Sequence, residues 1–120
     1  MAIEVISAGA TTLNNLLPNH YYKTSSDVVT MDIELPYDSS WTTVKGLVIY
    51  LHTGTITGGI SIACNDSTIP IYCYDGFEWA DDTAYELNFI YTGGAWYMAY
   101  GIIATAPLTP AVTTEESSEE

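Results

Sequence analysis

Tyr85–Ile103 reads YELNFIYTGGAWYMAYGII, and its register decides the fold. Gly93-Gly94 serves as a two-residue turn, because glycine reaches the positive φ that tight hairpin turns require without a Cβ clash. About that turn Tyr91 faces Trp96, Phe89 faces Met98, Leu87 faces Tyr100 and Tyr85 faces Ile102. Side chains alternate with period 2 along a strand, so all eight fall on one side of the ribbon. The other side carries Glu86, Asn88, Ile90, Tyr97, Ala99 and Gly101, a mixed set that can face water. At about 2 kcal/mol per fully buried large side chain, the apolar side offers roughly 15 kcal/mol as an upper bound. A lone hairpin cannot bury that surface. A second sheet has to cover it, which predicts a sandwich or a barrel.

Upstream, the chain continues in strands and turns. Residues 1–8, MAIEVISA, read as a short strand or arm before a polar turn region at 9–15. Leu16-Leu17-Pro18-Asn19-His20 leads into a strand at Tyr21–Thr24, and Ser25-Ser26-Asp27 is a turn by composition. In VVTMDIEL, Val29, Met31, Ile33 and Leu35 share one face, with Thr30, Asp32 and Glu34 on the other. Pro36 and Asp38-Ser39-Ser40 end that strand. Lys45–Leu51, KGLVIYL, is nearly all apolar and predicts a central strand covered on both faces. A Gly/Thr-rich loop at 53–59 precedes two short strands at 59–65 and 69–74, joined by the turn Asn65–Thr68. Residues 76–83 form a loop or a short strand around Phe77 and Trp79.

The count comes to about seven or eight strands at sandwich-like spacing. No segment sustains a 3.6-residue period, so the expected class is all-β, a single antiparallel β-sandwich. Residues 1–15 are the N-terminal arm or short strand and 16–104 the β-sandwich domain. Residues 105–120 are an acidic tail, expected to be disordered because nothing in ATAPLTPAVTTEESSEE after Ile103 can build a core.

Charge excludes several partners. The 120 residues hold two Lys and Arg against fifteen Asp and Glu, a formal net charge of −13. Binding nucleic acid through its phosphates needs clustered cations, and an anionic membrane surface attracts them too, so neither is an expected partner. Met1–Glu4 lacks the basic start of a secretory signal, and no apolar run approaches the roughly 20 residues of a membrane helix. The chain is expected to be made and kept in the cytoplasm, at least until some lytic release. Cys64 and Cys73 have eight residues between them, a spacing that matches no common zinc pair. Both are expected to be buried free thiols acting as small apolar residues.

No catalytic set stands out, and the chain is not read as an enzyme. His20 and His52 lack neighbouring Cys or carboxylate spacings that suggest a ligand set or a triad. No Ser or Thr can be chosen as nucleophile without a base to activate it. Glu78, Asp81 and Asp82 lack the regular oxygen spacing of a calcium loop, and adjacent carboxylates in a strand point to opposite faces. No metal or cofactor is expected. A carbohydrate-binding module is the rival to a purely structural role, since exposed aromatic rings serve as platforms for sugars. Its candidate contacts are Tyr37 and Trp41, in the loop Tyr37-Asp-Ser-Ser-Trp41, and Trp79 beside Glu78. Tryptophan is more often core than platform, so Trp41 is expected to plug one end of the sandwich and Trp79 to pack along a strand edge.

Three elements occur in order: LLPNHYYKTSSDVVTMDIELP, GLVIYLHTGTITGGISI and AYELNFIYTGGAWYMAYGII. This succession, over roughly Leu16 to Ile103, resembles the small β-domains of tailed-bacteriophage structural proteins: head fibres, capsid decoration proteins and tail fibres. The resemblance implies a jelly-roll-like sandwich, often trimeric and attached to capsid or tail through a terminus. It implies a virion location and phage capsid or tail proteins as partners. Tail fibres are usually long and repetitive, whereas this chain carries one such domain and an acidic tail, which favours a small decorating or fibre-tip protein. The alternative is a tail-fibre or receptor-binding module whose partner is a host surface glycan.

Overall fold

The computed structural model describes residues 3–7, 9–24 and 27–103. Nine strands run through them, with no helix among the described residues: β1 (Ile3–Ile6), β2 (Thr12–Leu13), β3 (Tyr21–Thr24), β4 (Thr30–Leu35), β5 (Lys45–His52), β6 (Gly59–Cys64), β7 (Ile71–Tyr72), β8 (Ala84–Thr92) and β9 (Ala95–Ile103). They form a six-stranded sheet ordered β1-β3-β5-β8-β9-β7 and a three-stranded sheet ordered β2-β4-β6. The fold is all-β, as the sequence predicts. Its pairing is mixed, which corrects the expectation of antiparallel strands: of seven strand pairings among the described residues, five are parallel.

The parallel part has a simple origin. Strands β1 to β6 alternate between the sheets, so each strand lies beside the one two elements earlier. Ile3 pairs with Tyr21 and Tyr21 with Val48 in the large sheet, while Asp32 joins Thr12 to Ser61 in the small one. Parallel neighbours need a crossover, and here the crossover is a strand of the opposite sheet rather than a helix. The chain winds back and forth over one core, and the β8–β9 hairpin then extends the large sheet beyond β5.

The hairpin register is the one the sequence dictates. Tyr85 pairs with Ile102, Leu87 with Tyr100, Phe89 with Met98 and Tyr91 with Trp96, and both turn glycines have positive φ, 59° and 85°. Tyr85, Leu87, Phe89, Trp96 and Met98 are buried against Met31, Ile33 and Leu35 of the small sheet and Leu47, Ile49 and Leu51 of β5 in a single core. Of the other three residues on that side, Tyr91 and Tyr100 are half-buried, and Ile102, near the end of the last strand, is 70% exposed. β5 is central, but only one of its faces is fully covered: Val48 and Tyr50, on the other, are half-buried.

Two local departures have clear causes. Val29 was expected on the buried face of its strand, yet it is exposed and Val28 is buried. Val28 still bridges Thr53 beside β5, and the chain crosses to the small sheet only at Thr30, so the alternation changes parity there. The N-terminal segment also contributes to the body, because β1 and β2 pair with β3 and β4 and bury Ile6 and Leu13. The expected acidic tail, 105–120, lies outside the described residues. No helix of the described residues is long and apolar enough to cross a membrane.

Both cysteines are free thiols, but the expectation of burial fails for Cys73, which is exposed just beyond the two-residue strand β7. Cys64 is half-buried, its Sγ 4.0 Å from the Pro36 carbonyl oxygen. Maleimide should therefore label Cys73 of the native protein promptly and Cys64 markedly more slowly, with the difference lost in denaturant. Equal native rates, read by peptide mass spectrometry, would contradict this placement.

Candidate functional site

The aromatic residues gather at the two ends of the covered face. At the turn end, Trp41 sits between Tyr37, Tyr91 and Trp96, with ring centroids 5.8, 5.3 and 6.1 Å away. The Lys45 ammonium lies 5.9 Å from the centroid of the Trp41 ring. At the opposite end of the hairpin, Trp79 packs edge-on against Phe77 and Tyr85 at 4.9 and 5.1 Å, and Phe77 reaches Tyr100 at 4.6 Å. Edge-to-face pairs at these distances are favourable for the ring quadrupoles. The structure thus brings Tyr37 and Trp41 together and places Trp79 in a separate cluster. Trp41 and Trp79 are half-buried against the core, which limits the ring face each can offer to a sugar.

Beside Tyr37 an open polar groove of about 570 Å³ runs between Asp38-Ser39 and Asn65-Asp66-Ser67. The backbone N–H of Ser40 donates to Asp38 and holds its carboxyl below the ordinary value of 3.8. The Thr68 hydroxyl and then its backbone N–H do the same for Asp66. Both acids are committed to local turns. Packing pushes the Tyr91 hydroxyl the other way, upward, through desolvation and then through Tyr37.

The histidines contact carboxylates that sequence spacing conceals. His52 Nδ1 lies 2.8 Å from Asp27 Oδ1, and Nε2 lies 3.6 Å from Asp82 Oδ1. Asp82 adopts positive φ, 49°, and donates its N–H to the Gly54 carbonyl. Beside them Thr53 is fully buried, its hydroxyl donating to the Ala80 carbonyl at 2.6 Å and accepting from the Thr83 N–H at 2.9 Å. With carboxylates at both ring nitrogens and the neighbouring hydroxyl engaged, this group fastens the 80–83 loop and Asp27 to the end of β5. His20 similarly bridges Glu4, at 3.5 Å, and the Pro18 carbonyl, at 3.0 Å. Among the described residues no group of three His, Cys, Asp or Glu is placed to hold a metal ion.

The feature that sequence reasoning undervalued is the outer face of the large sheet. Alternation places Tyr21, Lys23, Val48, Tyr50, Glu86, Asn88, Ile90 and Tyr97 on it. Ile90 and Tyr97 are 49% and 46% exposed, and Ile3 and Val5 on β1 are still more open. Tyr21 meets Tyr50 edge-on at 6.2 Å, while Tyr72 stacks on Tyr97 at 5.4 Å. Shallow grooves of about 440, 320 and 230 Å³ cross this side of the sheet. Among its strand residues only Lys23 and Glu86 carry formal charge. Asp27 and Asp82 border the face at the end of β5, where they flank His52, and the other described acids lie in further loops, at Glu4 against His20, or at Asp32 and Glu34 on the small sheet. A strongly acidic chain therefore keeps one broad face almost free of acids.

Comparison with known proteins yields no family model, no curated protein and no solved structure that matches this chain.

Proposed function

We propose that the chain is a structural protein of a tailed-bacteriophage virion, a capsid decoration or head-fibre-type module that associates with copies of itself and docks on the particle. One observation carries the self-association: the broad, tyrosine-bearing, nearly uncharged outer face of the large sheet, on a chain of net charge −13. Contiguous apolar surface of this kind marks interaction sites, and aromatic residues are enriched in interface cores. The virion assignment rests on the three strand-and-turn elements that resemble phage fibre and decoration domains. The parallel pairings depart from the jelly-roll connectivity that resemblance implies, so the proposal leans on the surface rather than on strand order. The resemblance also implies a trimer; the proposal requires only that copies associate.

Sedimentation equilibrium of the full chain at micromolar concentration should give a mass above that of one copy, 13.1 kDa. The protein should also be found by mass spectrometry in purified particles. The rival glycan-binding module predicts a monomer whose tryptophan fluorescence, from Trp41 or Trp79, changes on adding glycans. A glycan-binding monomer absent from particles would replace the structural role with that rival.

A further inference from the structure

Resting on that self-association, we infer that two copies pack outer face to outer face about a two-fold axis running along β5, with Lys23 of each copy set against Glu86 of the other. Lys23 pairs in register with Tyr50, and Tyr50 with Glu86. The three side chains therefore form one row across β3, β5 and β8, with the cation one strand to one side of Tyr50 and the anion one strand to the other. At about 4.8 Å per strand the two charges are roughly 10 Å apart along the sheet. They form no ion pair with each other, and Lys23 has no carboxylate partner among the described residues.

This row is its own complement. A rotation of 180° about an axis parallel to β5, midway between two such faces, exchanges the two sides of the row and turns it over. Tyr50 then lies over Tyr50, and each Lys23 lies over a Glu86. Sheets stacked in this way sit about 10 Å apart, a gap that a lysine and a glutamate span together. Isologous contacts require such a self-complementary patch, in which residue i meets j and j meets i. Val5, in that row, and Ile3, in the next, supply exposed apolar contact, falling over Gly101 and Ala99 of the other copy.

Area and charge both suit a second copy. An axis along β5 lays β1 and β3 over β9 and β8, so four strand spacings by about eight residues give a contact on the order of 500 Å². Two faces then bury about 1,000 Å², the least that a specific interface needs. Two chains of charge −13 repel, and the described face with the fewest acids is where they can approach most cheaply. Acids elsewhere on the body stay in solvent, where salt screens them beyond roughly 8 to 10 Å.

The test is sedimentation equilibrium on the full chain, carrying Lys23→Glu, Glu86→Lys or both, with a thermal melt of each variant to confirm folding. The wild type should form a dimer. Each single swap places like charges at two symmetric contacts and should weaken association about tenfold or more, and the double swap should return it to within about threefold of wild type. Should a swap fail to fold, Lys23→Gln and Glu86→Gln serve instead: each weakens association, and the double variant is no weaker than either alone. An associated wild type, dimer or trimer, whose affinity ignores these changes overturns the two-fold pairing while leaving self-association standing. A wild type that stays monomeric at tens of micromolar overturns both. Association that emerges only when residues 106–120 are removed makes the tail the occupant of this face and also overturns the pairing.

Discussion

Replacing Trp96 with alanine is expected to destabilise the protein by about 5 kcal/mol, close to the limit of what a domain of this size tolerates. Trp96 has no solvent exposure. Its ring meets Tyr91, Trp41 and Phe89 at centroid distances of 5.6, 6.1 and 6.5 Å, and its Nε1–H donates to the Pro36 carbonyl at 3.0 Å. Deleting a buried aromatic side chain typically costs about 3–5 kcal/mol, because neighbours only partly fill the cavity. The Pro36 carbonyl, left with only the long contact from Cys64 Sγ, adds on the order of 1 kcal/mol. Trp96→Phe separates the two terms: it keeps most of the ring, loses the hydrogen bond and should cost about 2 kcal/mol. Urea unfolding followed by circular dichroism reads both. A loss below 1 kcal/mol for Trp96→Ala would mean that the large and small sheets do not close over this residue.

That prediction depends on the part of the fold most open to sequence reading. The β8–β9 hairpin announces itself locally: its pairing spreads outward in register from the Gly93-Gly94 turn, and the apolar side of the ribbon is continuous from Tyr85 to Trp96. The parallel strands leave no such mark. Tyr21 finds Val48 only after the chain has crossed to the other sheet and returned, and the unequal lengths of these excursions erase any repeat. Burial on one face of β4 is visible from Met31 to Leu35, but the position where the chain changes sheets, between Val28 and Thr30, is not.

The candidate interaction face is legible only after the fold. Ile90 and Tyr97 were already on the mixed side of the hairpin, yet the contributions of Ile3, Tyr21, Val48 and Tyr50 depend on parallel pairings that no local pattern encodes. Trp41 and Trp79, by contrast, drew attention in the sequence as large aromatic rings beside polar residues. Packing then explains them as half-buried members of clusters at opposite ends of the hairpin. The carboxylate contacts of His52 come from Asp27 and Asp82, distant along the chain on either side.

Thr53 gives the second large effect, and it tests whether the loop before β8 is held by polar contacts or by packing alone. Its side chain is fully buried, and it is the one buried polar residue among those described. Its hydroxyl donates to the Ala80 carbonyl and accepts from the Thr83 N–H, while its own N–H donates to the Thr83 carbonyl. Valine has nearly the same shape but can satisfy neither hydroxyl partner, so Thr53→Val should cost about 2–3 kcal/mol, the penalty of leaving buried polar groups unpaired. Serine keeps the hydroxyl and loses one methyl, for about 1 kcal/mol. If packing alone mattered, the order would reverse, with valine tolerated better than serine. Hydrogen exchange supplies a local readout, because the Thr83 amide should lose protection in Thr53→Val and retain most of it in Thr53→Ser. The same loop carries Asp82 against His52 and Asp81 against the Ile56 N–H. Loosening at Thr83 should therefore also raise exchange at Ile56, whereas amides in the centre of β8, such as Leu87, should change only as far as global stability falls.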